Sequence, residues 1–437
     1  MLNASERKPR PLLLIALLFG FLSACSGLPS GVADANPDVE RVIHSGRTAT
    51  FGHSLAALEG PDGESILAIG YPFADDQAGV VLMIDLETGL LHQATSGKGI
   101  PDGVWRIGAR LIAVGDADGD GWGDLVVFFA SGKRDGCALI SGATGEVLYR
   151  RDEFAQSALW IHSMARGGAA IDFDQDGIGD FCAFPSDESE PLTVYSGATG
   201  EAIARTGFFQ SDSSRDVRYS LELAGGTPSV VALVERDAGM DDVELQSLAL
   251  DSSRSTQRAL IQAGPHANAG LFCLGGNSDQ GVVSVEFGVY EEWSDSGFVL
   301  ARSFSEDSSL YSGPLVAPDA IQTPNLEFIP RSFAMSSGAV RGDGVIMVGG
   351  ATSDFTGLVC AYSGATGELM WSREMSTDVS SLGSFLLPID RGGERLVAVA
   401  SDEVIASSYN PILLLDLVTG DVVEKLEPGD YVEIIPE

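Results

Sequence analysis

"SGATGE" occupies residues 141–146 and returns unchanged at 196–201 and 363–368, with its threonine at Thr144, Thr199 and Thr366. Two looser copies, DLETG ending in Thr88-Gly89 and DLVTG ending in Thr419-Gly420, lie outside them. From Thr88 to Thr144 is 56 residues, from Thr144 to Thr199 is 55, and from Thr366 to Thr419 is 53. The interval from Thr199 to Thr366 is 167 residues, three periods rather than one, so two further units belong inside it. They fall near Ser255-Thr256 and near Ser308, which brings the count to seven.

Each unit has the same internal order, clearest in the first: FGHSLAALE, a turn, SILAIGYP, a loop, VVLMIDLETG, then LLHQATSG. These are short runs of Val, Ile, Leu and Phe bounded by Gly, Asp, Ser and Pro, without a helical period long enough to compete. Three or four strands per unit, repeated seven times, predict an all-β chain folded as a seven-bladed β-propeller. The Asp/Ser-x-x-Thr-Gly turn has a mechanical role in this reading. Its Asp or Ser side chain caps a tight turn, and its Gly takes the positive φ that reverses the chain into the outer strand. A ring also has to close, and either GRTAT after Ser45 or the tail YVEIIPE is placed to complete the last blade.

Seven such units account for residues 46–437 as one domain, with no second folded domain required. Residues 1–25 read as a processing signal. Arg7, Lys8 and Arg10 form a basic start, Leu12 to Phe21 an apolar run too short to span a bilayer of about 30 Å, and Leu22-Ser23-Ala24-Cys25 follows. That tetrapeptide resembles the bacterial lipobox, whose cysteine receives a diacylglycerol and becomes the new N-terminus. The resemblance implies lipidation at Cys25, a polar tether over residues 26–45, and a location at the cell envelope on the periplasmic or outer-membrane side.

Within units two and three the turn after the first strand is unusually acidic: DADGDGWGDL at 116–125 and DFDQDGIGDF at 172–181. In a D-x-D-x-D-G-x-x-D frame the carboxylates are Asp116, Asp118, Asp120 and Asp124 in one loop, and Asp172, Asp174, Asp176 and Asp180 in the other. Alternate carboxylates on a tightly curled loop converge on one hard cation. Gly121 or Gly177 permits the sharp turn, and the carbonyl of Trp122 or Ile178 supplies a further oxygen. All-oxygen ligation without nearby His or Cys points to calcium, in two structural sites. An EF-hand would need Glu at position 12, where Val127 and Ala183 stand in apolar strands, so the loop joins two strands instead. The corresponding turns around Asp62, at 341–344 and at Asp390 are defective, and the Arg341-Gly342-Asp343 tripeptide reads as such a decayed turn.

The unit resembles the FG-GAP, or integrin-α-type, propeller repeat, in which an inner strand beginning Phe-Gly leads through an aspartate loop to a strand ending Gly-x-Pro. Phe51-Gly52 and Gly70-Tyr71-Pro72 carry it in the first unit. Units one to three and six keep the diagnostic motifs; four, five and seven are degenerate. The outer half is also similar to the quinoprotein-type repeat, where the Thr-Gly-Glu turn leads to a tryptophan. Only Trp371 stands in that place.

Asp and Glu outnumber Lys and Arg by 62 to 26, a formal charge of −36 that opposes binding to nucleic acid. Cys137, Cys182, Cys273 and Cys360 are widely spaced and read as small buried hydrophobes on strands. The five histidines are isolated in different units, and no clustered nucleophile or acid–base pair is nominated. The expectation is a monomeric, lipid-anchored, calcium-stabilised propeller that acts as a non-catalytic platform for protein or glycan ligands at its loops. Two alternatives remain open: a quinoprotein-like or polysaccharide-active enzyme, and a scaffold for envelope assembly.

Overall fold

A computed structural model describes residues 51–431 with interruptions, the longer ones at 155–171, 184–192, 206–216 and 402–410; from 217 to 333 it describes strand backbone alone. The expectations for the signal, Cys25, the tether, Arg341-Gly342-Asp343 and Thr366 lie outside the described residues.

The chain is all-β. Its first sheet pairs β1 (Ser54–Glu59), β2 (Ser65–Tyr71), β3 (Val80–Asp85) and β4 (Leu91–Ser96) in sequence order, every pair antiparallel. The second repeats the order with β5 (Trp105–Gly115), β6 (Asp124–Ser131), β7 (Arg134–Ile140) and β8 (Val147–Phe154). The third contains β9 (Phe181–Ala183), β10 (Thr193–Tyr195) and β11 (Ala202–Arg205). Four more antiparallel sheets follow, within 217–262, 267–322, 328–374 and 385–426. Short connections between sequential antiparallel strands explain this order, since a parallel pairing would need a long crossover.

Burial follows from the position of each strand. The second and third strands of a sheet have sheet neighbours on both faces, so β2 and β3 read as near-continuous apolar runs: Leu67, Ala68, Ile69 and Val80 to Ile84 are all within 1% of complete burial. Outer strands are less buried: β4 is mostly half-buried, and β11 is half-buried to exposed. Apolar clusters lie between sheets. One joins Leu58, Met83 and Ile107 to Leu125, Phe129 and Ile140, and another joins Phe128 and Phe154 to Phe181 and Tyr195. Phe181 sits edge-on to Phe128 at 5.8 Å and stacks on Tyr195 at 5.5 Å.

Neighbouring sheets touch in turn among the described residues, the second and third through the Phe128–Phe181 cluster. β1 contacts β5, and the leading strand Val217–Ala224 contacts both β9 and Ala267–Asn277; the latter meets Phe328–Met335, which meets Phe385–Arg391. Phe385–Arg391 in turn contacts β1. Sheets laid side by side in sequence, with the last against the first, form a β-propeller.

The segments expected to close the ring, GRTAT and the tail beyond Tyr431, lie outside the described residues. Among the described residues the first and last sheets are each complete from consecutive strands. Side-chain packing joins these two sheets. Phe51, Leu55, Ile69 and Leu82 share one core with Leu387, Ala398, Leu414 and Leu426. The tail contributes Tyr431, which is 5% exposed, lies in that core and donates its hydroxyl to the Gly89 carbonyl at 3.4 Å.

Candidate metal centre

The repeated turn is built as its sequence implies. At 141–146, the Gly145 N–H donates to the Ser141 carbonyl at 2.8 Å, and the Thr144 N–H donates to Ser141 Oγ at 3.3 Å. Gly145 has φ of +71°, Gly200 of +69° and Gly420 of +73°. Where Asp replaces Ser, its carboxylate takes two amides: Asp416 Oδ1 accepts from Val418 at 2.9 Å and Thr419 at 2.7 Å. The Thr419 amide is the main reason that the Asp416 carboxyl is held below its ordinary range.

The two aspartate loops join β5 to β6 and lead into β9. Gly121 and Gly177, at the sixth position, have φ of +93° and +94°. The fourth position is also left-handed, at Gly119 with +80° and at Gln175 with +63°. Such a double reversal curls the loop and turns its amides inward. Asp116 Oδ1 accepts from Gly119 at 2.8 Å and Asp120 at 3.0 Å, and its Oδ2 accepts from Gly121 at 2.9 Å. Asp172 does the same toward Asp176 at 3.1 Å and Gly177 at 2.9 Å. The fifth-position carboxylates accept from the seventh-position amides, Trp122 and Ile178, both at 2.8 Å.

Three carboxylates per loop converge: one oxygen each from Asp116, Asp118 and Asp120 lies within 4.8 Å of the others, and the same holds for Asp172, Asp174 and Asp176. Oxygens on opposite sides of a calcium ion, at bond lengths of about 2.4 Å, are about 4.8 Å apart. No Lys, Arg or His among the described residues pairs with any of the six. Asp174 has its carboxyl pushed up, first by burial and then by repulsion from Asp176. A hard, all-oxygen donor set with unbalanced charge fits calcium.

Asp124 and Asp180 stand apart from these groups. Asp124 is fully buried, its Oδ2 accepting from Ala117 at 2.7 Å and Asp118 at 3.3 Å, and its Oδ1 accepting from Gly142 at 2.9 Å. Asp180 repeats the pattern with Phe173 at 2.6 Å and Gly197 at 3.0 Å. Burial pushes both carboxyls up to about 6, against the pull of those amides. The ninth-position aspartate therefore latches the loop to the SGATGE turn of its own sheet.

A second contact between the motifs explains two glycines that the sequence reading left unassigned. A Cβ on Gly142 would come 2.0 Å from the Gly123 carbonyl oxygen, and one on Gly197 would come 1.9 Å from that of Gly179. Backbone against backbone cannot yield to a side chain, so SGATGE and DGxGD are two halves of one unit. The signal was present in the sequence: both glycines recur in both copies.

Sheets are also stapled to their neighbours through the turn. Trp371 Nε1 donates to the Leu417 carbonyl at 3.0 Å, and its ring covers Gly420, where a Cβ would be 2.6 Å from the indole. Tyr149 stands at the same step after its SGATGE copy and performs the same task, donating its hydroxyl to the Gly197 carbonyl at 3.0 Å with its ring against Gly200. The docking position is thus filled by more than the single tryptophan. His92 of β4 reaches the next sheet as well: its ring stacks on Trp122 at 4.2 Å and 22°, and Nε2 donates to the Gly142 carbonyl at 3.1 Å.

Both loops border a cavity of about 680 Å³, whose wall includes Leu58, Asp116, Gly121, Asp172, Gly177 and Asp390. Cys137, Cys182 and Cys360 form no disulfide among the described residues and are buried on strands, and burial pushes the Cys360 thiol up to about 12.

No family model and no curated protein matches the chain. Among solved structures it is similar to BamB from Moraxella catarrhalis, at 12% identity over 85% of this chain and 76% of that one, with a TM-score of 0.30. It is also similar to the Dos1 propeller, at 14% identity over 79% and 75% with a TM-score of 0.41. The dihydro-heme d1 dehydrogenase NirN is a third, at 10% identity over 92% and 66% with a TM-score of 0.43.

Proposed function

We propose that the chain is a seven-bladed, FG-GAP-like propeller that binds two structural calcium ions and serves as a non-catalytic binding platform at the bacterial cell envelope, monomeric and anchored through acylated Cys25. The observation that carries the calcium reading is the convergence of three carboxylates in each of two loops, without a cationic side chain to balance them. Asp116, Asp118 and Asp120 would hold one ion and Asp172, Asp174 and Asp176 the other, with the Trp122 and Ile178 carbonyls adding oxygens. Asp124 and Asp180 hold the backbone of each loop to the turn of its own sheet. Calcium supplies charge balance here. The protein itself supplies the curl of the loop, the amides that orient each carboxylate, and the latch to the neighbouring turn.

The cavity beside the two loops has the size of a small-ligand site, which supports a binding role for this face of the ring. Protein or glycan partners would be presented to the loops, while the acidic surface disfavours nucleic acid. Calorimetric titration of the chelator-stripped chain with calcium tests the reading: two equivalents bound, falling to one in Asp120→Asn, are expected, and no binding refutes it. For the anchor, detergent-phase partition of protein made in a bacterial host should be lost in Cys25→Ser; partition that survives the substitution rules lipidation out. The docking of Trp371 favours a second reading, a quinoprotein-like propeller, for which added quinone and calcium should yield dehydrogenase activity.

A further inference from the structure

The edge of the first two sheets away from the aspartate loops holds a concentration of left-handed backbone. Among the described residues five non-glycine positions have positive φ, and four of them are here. Asp75, Asp76 and Gln77, at 51°, 57° and 71°, form the turn into β3, and Arg106, at 58°, is the second residue of β5. The fifth is Gln175 of an aspartate loop. Residues bearing a Cβ hold this conformation only where their surroundings impose it, and such positions gather at ligand sites.

The surroundings are specific. The Ile107 N–H donates to the Ala78 carbonyl at 3.0 Å, Gly79 bridges Ile107 in parallel, and a Cβ on Gly79 would be 2.3 Å from the Ile107 oxygen. Asp75 is ion-paired with Lys98 and accepts from Ser96 Oγ at 2.5 Å. Pairing of β5 with β6 jumps from Trp105↔Ala130 to Arg110↔Phe128, so residues 106–109 bulge out of register. A bulge re-aims the side chains it carries.

Arg106 is aimed onto Phe73, its guanidinium carbon 5.0 Å from the ring centroid, and no carboxylate among the described residues pairs with it. His53 meets the same ring edge-on at 6.4 Å and 82°. Trp105, the neighbour of Arg106 in the chain, is 55% exposed. The other large exposed apolar residues described, such as Leu148, Leu369 and Val423, are on outer strands or the turns before them. Asp76 and Gln77 are exposed beside the Asp75–Lys98 pair.

We propose that Phe73, Asp76, Gln77, Trp105 and Arg106 form a binding site for a neutral glycan. The exposed indole offers flat apolar surface for the C–H face of a pyranose, and Phe73 holds the Arg106 guanidinium in place. The amide, carboxylate and guanidinium around them offer donors and acceptors for its hydroxyls. The formal charge of −36 works against a polyanionic sugar, and a protein hot spot would set its aromatic anchor among further apolar groups, where here the neighbours are charged. The site rests on the platform reading and names a ligand class and face for it, but does not depend on the calcium loops.

The test is calorimetry of the full chain with neutral xylan-, glucan- and mannan-derived oligosaccharides, with polygalacturonate as the anionic comparison. At least one neutral probe is expected to bind, and Trp105→Ala or Arg106→Gly to weaken it by about tenfold or more. Arg106→Gly suits a φ of 58°, so it removes the side chain without straining the fold. Asp120→Asn should leave sugar affinity unchanged. The proposal is overturned if no neutral probe binds, if only polygalacturonate binds, or if affinity survives both substitutions. A melt indifferent to calcium would be a separate result, directed at the platform's metal sites alone.

Discussion

Replacement of Asp124 by alanine in calcium-free buffer should destabilise the chain far more than replacement of any carboxylate that faces the proposed ion. Asp124 is fully buried and accepts three backbone N–H groups, from Ala117 at 2.7 Å, Gly142 at 2.9 Å and Asp118 at 3.3 Å. Hydrogen bonds to a charged acceptor contribute about 1.5–3 kcal/mol each, are not additive, and leave desolvated donors behind when the acceptor goes. A net loss of about 3–5 kcal/mol follows for Asp124→Ala. Asp124→Asn keeps the volume and one acceptor oxygen, which serves one side of the latch, and should cost about 1–3 kcal/mol. Asp120→Ala loses the Trp122 amide contact and a long 3.4 Å hydrogen bond from Ser141 Oγ but relieves repulsion from Asp116 and Asp118, and should change stability by about 1 kcal/mol or less. Urea unfolding in EDTA, followed by tryptophan fluorescence, reads all three midpoints. If Asp124→Ala costs no more than Asp120→Ala, the latch is not what holds the loop to its turn, and the reasoning fails.

Other outcomes follow from the same geometry. Asp124 and Asp180 are raised to about 6 in the folded chain, so between about pH 4 and 6 the folded state holds protons that the unfolded state has released. Without calcium their contribution is therefore favourable at acid pH and declines as pH rises through about 6; the calcium-free chain should melt higher at pH 5 than at pH 7, and Asp124→Asn with Asp180→Asn should flatten that difference. A calcium-free melt that falls between pH 5 and pH 7 as steeply in the variant as in the parent contradicts the assignment. Gly63 and Gly420 have φ of +79° and +73°, but only Gly420 faces a ring, at 2.6 Å from a would-be Cβ. Gly63→Ala should cost about 1 kcal/mol and Gly420→Ala distinctly more; equal losses would mean that the Trp371 staple does not bear on stability.

The architecture was legible because the period is carried by residues with backbone duties. The Gly of each described Thr-Gly pair, Gly89, Gly145, Gly200 and Gly420, marks a left-handed turn, and Asp85, Ser141 and Asp416 mark its cap, so the repeat could be counted without any knowledge of packing. The glycines at positions six of the aspartate loops were equally readable, since a curl demands positive φ there. What the sequence hid was contact between distant segments. Nothing in DADGDGWGDL announces that Asp124, besides holding the Ala117 and Asp118 amides of its own loop, reaches Gly142, or that Gly123 lies against Gly142. Only a comparison of the two copies, which share both glycines, could have raised the question. Tyr149 was hidden for another reason. A search for tryptophan at the docking position passes over a tyrosine that makes the same contact. The apolar core shared by Phe51, Leu414 and Tyr431 joins residues far apart in the chain and has no local sequence signal. The left-handed turn at Asp75, Asp76 and Gln77 had no sequence signal, because it contains no glycine and is held by β5 of the next sheet.

The central claim is that calcium clamps two loops of the ring, and thermal unfolding of the full chain in excess calcium against EDTA tests it most directly. A ligand bound only by the folded state adds about 2.7 kcal/mol per site at a hundredfold excess over its Kd, so two sites should raise the melting temperature by several degrees. Asp120→Asn should remove about half of that rise, and Asp120→Asn with Asp176→Asn nearly all of it. Coincident melting curves with and without calcium in the parent chain would contradict the account.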